Sequence, residues 1–314
     1  MRPRPNATLG ANNSASHASL RALITALICV ALVGAVLIGV RFAEAWFLFP
    51  APPPPAEPPV LLNGVTQTWL EASEIRVEAF LLLPERSEQK VPLIVYAHGN
   101  GELTDDWLAK FEPFRASGVA VLLVEYPGDG RSAGIPSEDS IQRVLAAGYD
   151  WATSLSTIDA HRVVGYGSSL GGGAICAPAR VRPLAAKVLE STFSSFSDLV
   201  AERPAPVSFF HAIVQNRFDY LAVLRDYQSP VLILHGDRDE MIPLSHAHRL
   251  AEAADISELA VMHCGHNDCR RPWPTILKFL SKHGFAAGGK LGLPPNERFE
   301  RMIALRRPAV DPIR

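Results

Sequence analysis

The sequence predicts an α/β fold, in which a mostly parallel sheet carries helices on both faces and is preceded by one transmembrane helix. Two observations predict it: an uncharged apolar stretch near the N-terminus, and a longer region in which short apolar runs alternate with helical patterns. Strands that are apolar throughout and separated by helices are typical of a parallel sheet covered on both faces. The predicted strands are 91–97, 119–124, 162–165, 186–189, 231–234 and 259–262, and the predicted helices are 105–116, 137–154, 170–181, 245–254 and 272–283.

The composition is that of a globular protein. Of the 314 residues, 48% are apolar and 20% are charged, which excludes a disordered chain. Lys and Arg total 30 against 32 Asp and Glu, so no net positive field favours nucleic acid as a partner. Four cysteines without paired CxxC motifs indicate neither a disulfide scaffold nor structural zinc.

The apolar stretch at residues 22–40 has no charged side chain and predicts a membrane anchor. As a helix it reaches about 28 Å, close to the hydrocarbon thickness of a bilayer. It exceeds the apolar core of about 7–15 residues in a signal peptide, so an uncleaved anchor is favoured over cleavage at the small residues 43 and 45. Because Arg2, Arg4 and Arg21 precede the span and Arg41 alone follows closely, we expect a cytoplasmic N-terminus and a folded domain on the outer, periplasmic or luminal, face.

Changes in composition divide the chain into five segments. Seven prolines lie between residues 50 and 59 and indicate a stiff spacer. The predicted segments are a disordered N-terminal tail (1–21), a transmembrane anchor (22–40), an aromatic and proline-rich spacer (41–59), a folded domain (60–284) and a C-terminal tail (285–314) with one short helix at 296–305.

A candidate nucleophile lies between a predicted strand and a predicted helix. The sequence Gly-Ser-Ser-Leu-Gly at 167–171 fits the G-x-S-x-G nucleophile elbow, a sharp turn that exposes one hydroxyl. The motif alone is weak, but the strand before it and the small residues after it strengthen it. Only Ser169 has the required spacing, and we expect Ser168 to be a local hydrogen-bonding residue.

An activated serine needs a base, an acid that orients the base, and donors for an oxyanion. In this kind of fold the chain order is serine, acid, histidine. Segment 235–243 follows one later strand and contains candidate acids, and segment 263–268 follows the last strand and contains the candidate base. The N–H of Leu170 is one expected oxyanion donor, and the glycine-rich loop 98–101 is placed to supply the other.

Several motifs in order resemble those of the α/β-hydrolases, in particular the serine aminopeptidase-like group and its branch of N-terminally anchored single-pass proteins, which includes eukaryotic acyl-protein thioesterases. The resemblance covers roughly residues 75–283 and implies the α/β-hydrolase fold with a short lid segment. The matching motifs are HGNG at 98–101, YPGDGRS at 126–132, GSSLG at 167–171, ES at 190–191, HGDRDEMIP at 235–243 and GHND at 265–268.

The resemblance also implies roles for individual residues. It makes Ser169 the nucleophile, His266 the base and Asp239 the orienting acid, while Asp237 occupies a variable position.

The oxyanion donor of the glycine-rich loop corresponds by the same resemblance to Asn100, with Gly101 as a near alternative. Together with Leu170 it would form the oxyanion hole.

Two features stay open at this stage. Segment 193–228 is longer than an ordinary loop, and a lid that binds acyl chains and a helix that packs on the core are about equally favoured. Its aromatic residues include Phe209 and Phe210. Cys264 and Cys269 flank His266, and unpaired thiols are favoured over a disulfide.

These residues predict a membrane-anchored serine hydrolase that cleaves an acyl ester, thioester or amide through an acyl-enzyme, without a metal or organic cofactor. We expect a small-molecule or lipid-like acyl substrate, membrane attachment through the N-terminal helix and no nucleic acid partner; protein partners are not indicated. An acyltransferase that uses the same residues, or a non-catalytic membrane-tethered binding module with a hydrolase fold, is the alternative.

Overall fold

The computed structural model describes residues 11–85 and 89–286, and these residues contain an eight-stranded sheet flanked by helices. The strands are β1 (Val65–Ala72), β2 (Ile75–Leu82), β3 (Val91–Ala97), β4 (Ala120–Val124), β5 (Ile158–Ser168), β6 (Ala186–Glu190), β7 (Val231–Gly236) and β8 (Ser257–Met262). The helices are α1 (Ala11–Leu48), α2 (Glu112–Ala116), α3 (Glu138–Ser154), α4 (Leu170–Val181), α5 (Phe196–Ala201), α6 (Tyr220–Leu224), α7 (Leu244–Ala253) and α8 (Trp273–Lys282), with 3₁₀ helices at Thr104–Trp107 and Val207–Ala212.

The strand order is β1-β2-β4-β3-β5-β6-β7-β8. Strands β3 to β8 are parallel, whereas β2 pairs antiparallel with both β1 and β4. The predicted α/β fold with a mostly parallel sheet is confirmed, and each predicted apolar run forms one of the six parallel strands. The hairpin of β1 and β2 was not predicted.

Two apolar cores cover the two faces of the sheet. One contains buried side chains of α3, α4 and α7, and the other contains those of α2 and α8. The helix predicted at 105–116 is divided into a 3₁₀ helix and the short α2, which has Pro113 in its first turn. Proline lacks an N–H donor and therefore favours a helix start at this point over a continuous helix.

Helix α1 extends beyond both ends of the expected anchor at 22–40. Residues 11–21, expected as disordered tail, and 41–48, expected as spacer, are helical. No proline interrupts the chain between Ala11 and Leu48, so the helix continues until shortly before Pro50. The stretch Leu20–Leu48 reaches a mean hydropathy of 2.9 in its most apolar window, and none of that window is buried. This length and composition fit a membrane span, and they also fit a signal sequence.

Both ends of the chain are described only in part. Residues 1–10 and the helix expected at 296–305 lie outside the described residues. Phe285, at the start of the expected C-terminal tail, is buried in the core that contains α8.

A buried ion-pair network joins β2 to the loop after β4 and to the 3₁₀ helix Thr104–Trp107. The guanidinium of Arg131 donates from Nε to Glu78 at 2.8 Å and from Nη2 to Asp105 at 2.7 Å. The Glu78 side chain is completely buried, whereas that of Arg131 is 21% exposed. These hydrogen bonds raise the pKa of Arg131, with the bond to Glu78 as the largest cause.

We expect Arg131→Ala to lower the free energy of unfolding by about 3 kcal/mol, because it leaves a buried carboxylate without its counter-charge. Denaturation of the full chain in detergent measures the change. Combining it with Glu78→Gln removes the orphaned charge and should recover part of the loss. Equal stability of the single and double variants would show that the network does not stabilise the fold in this way.

Candidate active site

The chain makes a strained turn between β5 and α4, at Ser169. This residue has a φ of 52°, in the left-handed region that non-glycine residues rarely adopt. A Cβ on Gly171 would lie 2.0 Å from the carbonyl oxygen of Ala97, at the end of β3, and one on Gly167 would lie 2.4 Å from the carbonyl oxygen of Gly171. Both positions flanking the serine therefore require glycine, since backbone approaches too closely for a side chain.

Three side chains from three strand ends meet at this turn. Ser169 Oγ lies 3.0 Å from Nε2 of His266, and Nδ1 of His266 lies 2.7 Å from Oδ2 of Asp239. The other carboxylate oxygen of Asp239 accepts the N–H groups of Met241 at 3.0 Å and Ile242 at 2.8 Å. The Asp239 side chain is completely buried and that of His266 is 10% exposed, so the hydrogen bonds fix the carboxylate and leave one oxygen for the imidazole.

The neighbouring polar residues have other partners. Asp237 is exposed and pairs with Nδ1 of His263 at 2.9 Å, a hydrogen bond that lowers the pKa of Asp237. Ser168 is buried, and its Oγ accepts a weak contact from Nη2 of Arg271 at 3.4 Å. The geometry therefore distinguishes Ser169 from Ser168 and Asp239 from Asp237.

The expected oxyanion donors flank the serine. Leu170 is the first residue of α4, so its N–H has no partner within the helix. The loop 98–101 passes close to the nucleophile, because a Cβ on Gly99 would lie 3.6 Å from Cβ of Ser169. The N–H of Gly99 already donates to Glu102 Oε2 at 2.7 Å, which leaves the backbone N–H of Asn100 as the next candidate donor.

The side chain of Asn100 is directed elsewhere: its Nδ2 donates to the carbonyl oxygen of Phe47, near the end of α1. Only the backbone of this residue is therefore a candidate for binding an oxyanion.

A buried ion pair that sequence reasoning did not assign lies beneath this loop. His98 Nε2 is 2.8 Å from Glu125, and its Nδ1 is 2.9 Å from the carbonyl oxygen of Gly99, an arrangement that suits a doubly protonated ring. Burial lowers the pKa of His98, but Glu125 outweighs it and raises the value to about 9. Burial also raises the pKa of the neighbouring Asp129 to about 7. The sequence offered one indication of this buried cluster: His98 lies in the HGNG motif and Asp129 lies in the YPGDGRS motif.

His98, Glu125 and Asp129 have ligand atoms within 4.8 Å of one another, a grouping that can bind a metal ion. However, one oxygen of Glu125 accepts both the N–H and the hydroxyl of Thr104 at 2.9 Å, and the other faces His98. Both oxygens of Glu125 are thus occupied by His98 and Thr104, and we assign no metal here.

The cysteines beside His266 form a disulfide, contrary to the unpaired thiols that the sequence favoured. Cys264 and Cys269 have Cα atoms 5.1 Å apart, within the range that a disulfide requires. The bond closes the short loop that contains the imidazole.

Segment 193–228 contributes to both core and surface. Phe193 and Phe196 are buried, whereas Phe209 in the 3₁₀ helix is 73% exposed, and no residue of that helix is buried. Phe209 and Phe210 are therefore not core residues.

The comparisons with known proteins agree with this architecture. No protein-family model matches the chain. It is 28% identical over 187 residues to the uncharacterized protein Rv2307c of Mycobacterium tuberculosis, which covers 59% of this chain and 66% of that protein. It is 30% identical over 149 residues to the alpha/beta hydrolase domain-containing protein WAV2 of Arabidopsis thaliana, which covers 43% of this chain and 48% of that protein. Each match thus spans less than two thirds of the curated relative.

Among solved structures, a thermophilic esterase of Thermogutta terrifontis, Est2, superposes with a TM-score of 0.60 at 16% identity, over 73% of this chain and 97% of that one. A likeness at this identity shows the fold. Together with the sheet order and the elbow, it shows that the chain has the α/β-hydrolase fold.

Proposed function

We propose that this chain is a membrane-anchored serine hydrolase that cleaves an acyl ester, thioester or amide through an acyl-enzyme. The observation that carries the proposal is the continuous hydrogen-bonded series from Ser169 Oγ through His266 to the buried carboxylate of Asp239. This is the arrangement that makes a serine hydroxyl nucleophilic.

In the proposed reaction, Ser169 Oγ attacks the acyl carbon while His266 Nε2 takes its proton. Asp239 holds Nδ1–H of the imidazole and stabilises the imidazolium that forms. The negative charge that develops on the carbonyl oxygen is bound by the backbone N–H groups of Leu170 and Asn100. His266 then protonates the leaving group, and a water molecule deprotonated by the same imidazole releases the acyl group from the serine.

The fold alone does not determine the substrate, and the neighbour Est2 is described as an esterase in a propionate-bound form. An acyl ester is therefore the first substrate to test here. The exposed Phe209 supplies apolar surface in the segment where a lid is expected, which favours a lipid-like acyl chain.

One observation supports a domain on the outer face of the membrane, and another supports an anchor that is not cleaved. The disulfide between Cys264 and Cys269 is typical of oxidising compartments. Glu44, within the small-residue cleavage site, is buried and accepts the N–H of Asn216 at 2.6 Å, so cleavage after Ala45 would separate the domain from one of its own buried groups.

We expect Ser169→Ala to abolish ester hydrolysis and labelling by a fluorophosphonate, because the nucleophile is lost. Ser168→Ala is the matched control and should keep most of the activity, since that hydroxyl has no contact with His266. Gel fluorescence measures the labelling of each full-length variant, and release of product from a chromogenic ester measures its hydrolysis. Labelling that persists in Ser169→Ala would falsify the assignment of the nucleophile.

Asp239→Asn should lower kcat about 10⁴-fold, because an amide favours the wrong imidazole tautomer. Asp237→Asn, which removes an exposed carboxylate from the same loop, should change kcat less than about twofold. Steady-state kinetics on a chromogenic ester compare the variants. Similar losses in both would contradict the assigned acid.

Protease added to intact spheroplasts should digest the hydrolase domain and leave the cytoplasmic N-terminus protected, because three arginines precede the span and only Arg41 follows it closely. Immunoblots against one epitope at the N-terminus and one in the domain show which part of the chain the protease has digested. A protected domain would reverse the orientation, and a mature chain beginning at Trp46 would show a cleaved signal.

A further inference from the structure

The end of α1 is packed into the hydrolase domain. Glu44 is 5% exposed and accepts three hydrogen bonds from one loop: the N–H of Gln215 at 3.1 Å, and the N–H and Nδ2 of Asn216 at 2.6 and 2.7 Å. A carboxylate with this many donors is held firmly, because charge-assisted hydrogen bonds are stronger than neutral ones. A flexible tether would need no such buried charge.

The residues after Glu44 continue the contact. Leu48 is 2% exposed and belongs to the core. Phe47 stacks on Phe196 with ring centroids 6.1 Å apart, and Phe49 lies 6.5 Å from Phe218. The aromatic partners belong to segment 193–228, so the end of α1 is bound to that segment.

The same turn contacts the loop that carries the candidate oxyanion donor. Asn100 Nδ2 donates to the carbonyl oxygen of Phe47. Next to it, Gly101 faces Pro50, since a Cβ on the glycine would lie 3.5 Å from Cγ of the proline. Loop 98–101 is thus fixed from outside by the chain that leaves the membrane helix.

We propose that the last turn of α1, residues 44–48, is a positioning element of the active site. In this arrangement Glu44 fixes the helix end to segment 193–228, and the Phe47 carbonyl holds Asn100 so that its backbone N–H faces the oxyanion. This inference rests on the proposed function. Glu44 and Phe47 are positioning residues, since they act through Asn100. The helix then orients the domain and also completes its site.

The test substitutes Glu44→Gln in the full chain in detergent, with Glu57→Gln, an exposed carboxylate in the spacer, as the matched control. Kinetics with a short, water-soluble acyl ester should show kcat about tenfold lower for Glu44→Gln, with KM within about twofold, because an oxyanion donor acts on the transition state more than on bound substrate. Glu57→Gln should match the unchanged chain in both constants.

Hydrogen exchange supplies a readout that does not need activity. Glu44→Gln should accelerate exchange in peptides that cover 98–102 as well as 214–217. Asn100→Leu removes the Nδ2 donor and keeps the backbone, so it breaks the hydrogen bond between the loop and the Phe47 carbonyl. It should lower kcat similarly, and the double variant should be no worse than the single variants, because both break one connection.

Unchanged kcat in Glu44→Gln, or exchange that rises only at 214–217, would overturn the proposal. A chain that neither hydrolyses esters nor labels with a fluorophosphonate would instead refute the proposed function, and the exchange at 98–102 would still decide whether the helix end positions the loop. If Glu44→Gln fails to fold, Asn100→Leu with normal kcat and normal exchange overturns it.

Discussion

The close approach of α4 to the end of β3 is the constraint on which the candidate site depends. Gly171 lies so near the carbonyl of Ala97 that no side chain fits there. In this tight turn Ser169 adopts a left-handed backbone conformation, with a φ of 52°. That turn directs the serine hydroxyl toward the carboxyl ends of the parallel strands, where His266 and Asp239 follow β8 and β7. Conformational strain at one residue is thus offset by the packing of a whole helix on the sheet.

Loop 98–101 is fixed on three sides. The His98–Glu125 pair holds it from beneath, Glu102 binds the N–H of Gly99, and Phe47 accepts the side chain of Asn100. A rigid loop matters because oxyanion donors stabilise a transition state only when they need no reorganisation at the moment of reaction. The buried charge under the loop and the helix end above it would serve the same purpose from opposite sides.

The sequence predicts a structural feature when the residues that determine the feature are close together in the chain. The parallel strands were predictable because each contains a short run of mainly apolar residues, and the ends of these runs then located Ser169 and the two later loops. The hairpin of β1 and β2 was missed because β1 exposes much of its surface and carries polar residues, so its pattern resembles a loop. The glycines of the elbow were predictable from the turn that they permit.

Contacts between distant parts of the chain were not predictable. Glu44 and Asn216 are separated by 172 residues, and nothing in the apolar pattern around Glu44 indicates that its carboxylate is buried. The disulfide needed the 5.1 Å separation of two Cα atoms, which residue spacing alone does not give. The proline spacer suggested a stiff tether, yet Pro52 accepts the N–H of Gly130 at 2.9 Å and lies against the domain.

The central claim is that acyl transfer passes through Ser169. Rapid acid quenching of the unmodified chain during turnover of a chromogenic ester, followed by peptide mass spectrometry, tests it most directly. The account predicts a burst of product and an acyl adduct on the peptide that contains Ser169. Turnover with the adduct on another residue, or with no adduct and no burst at any quench time or substrate, would contradict it.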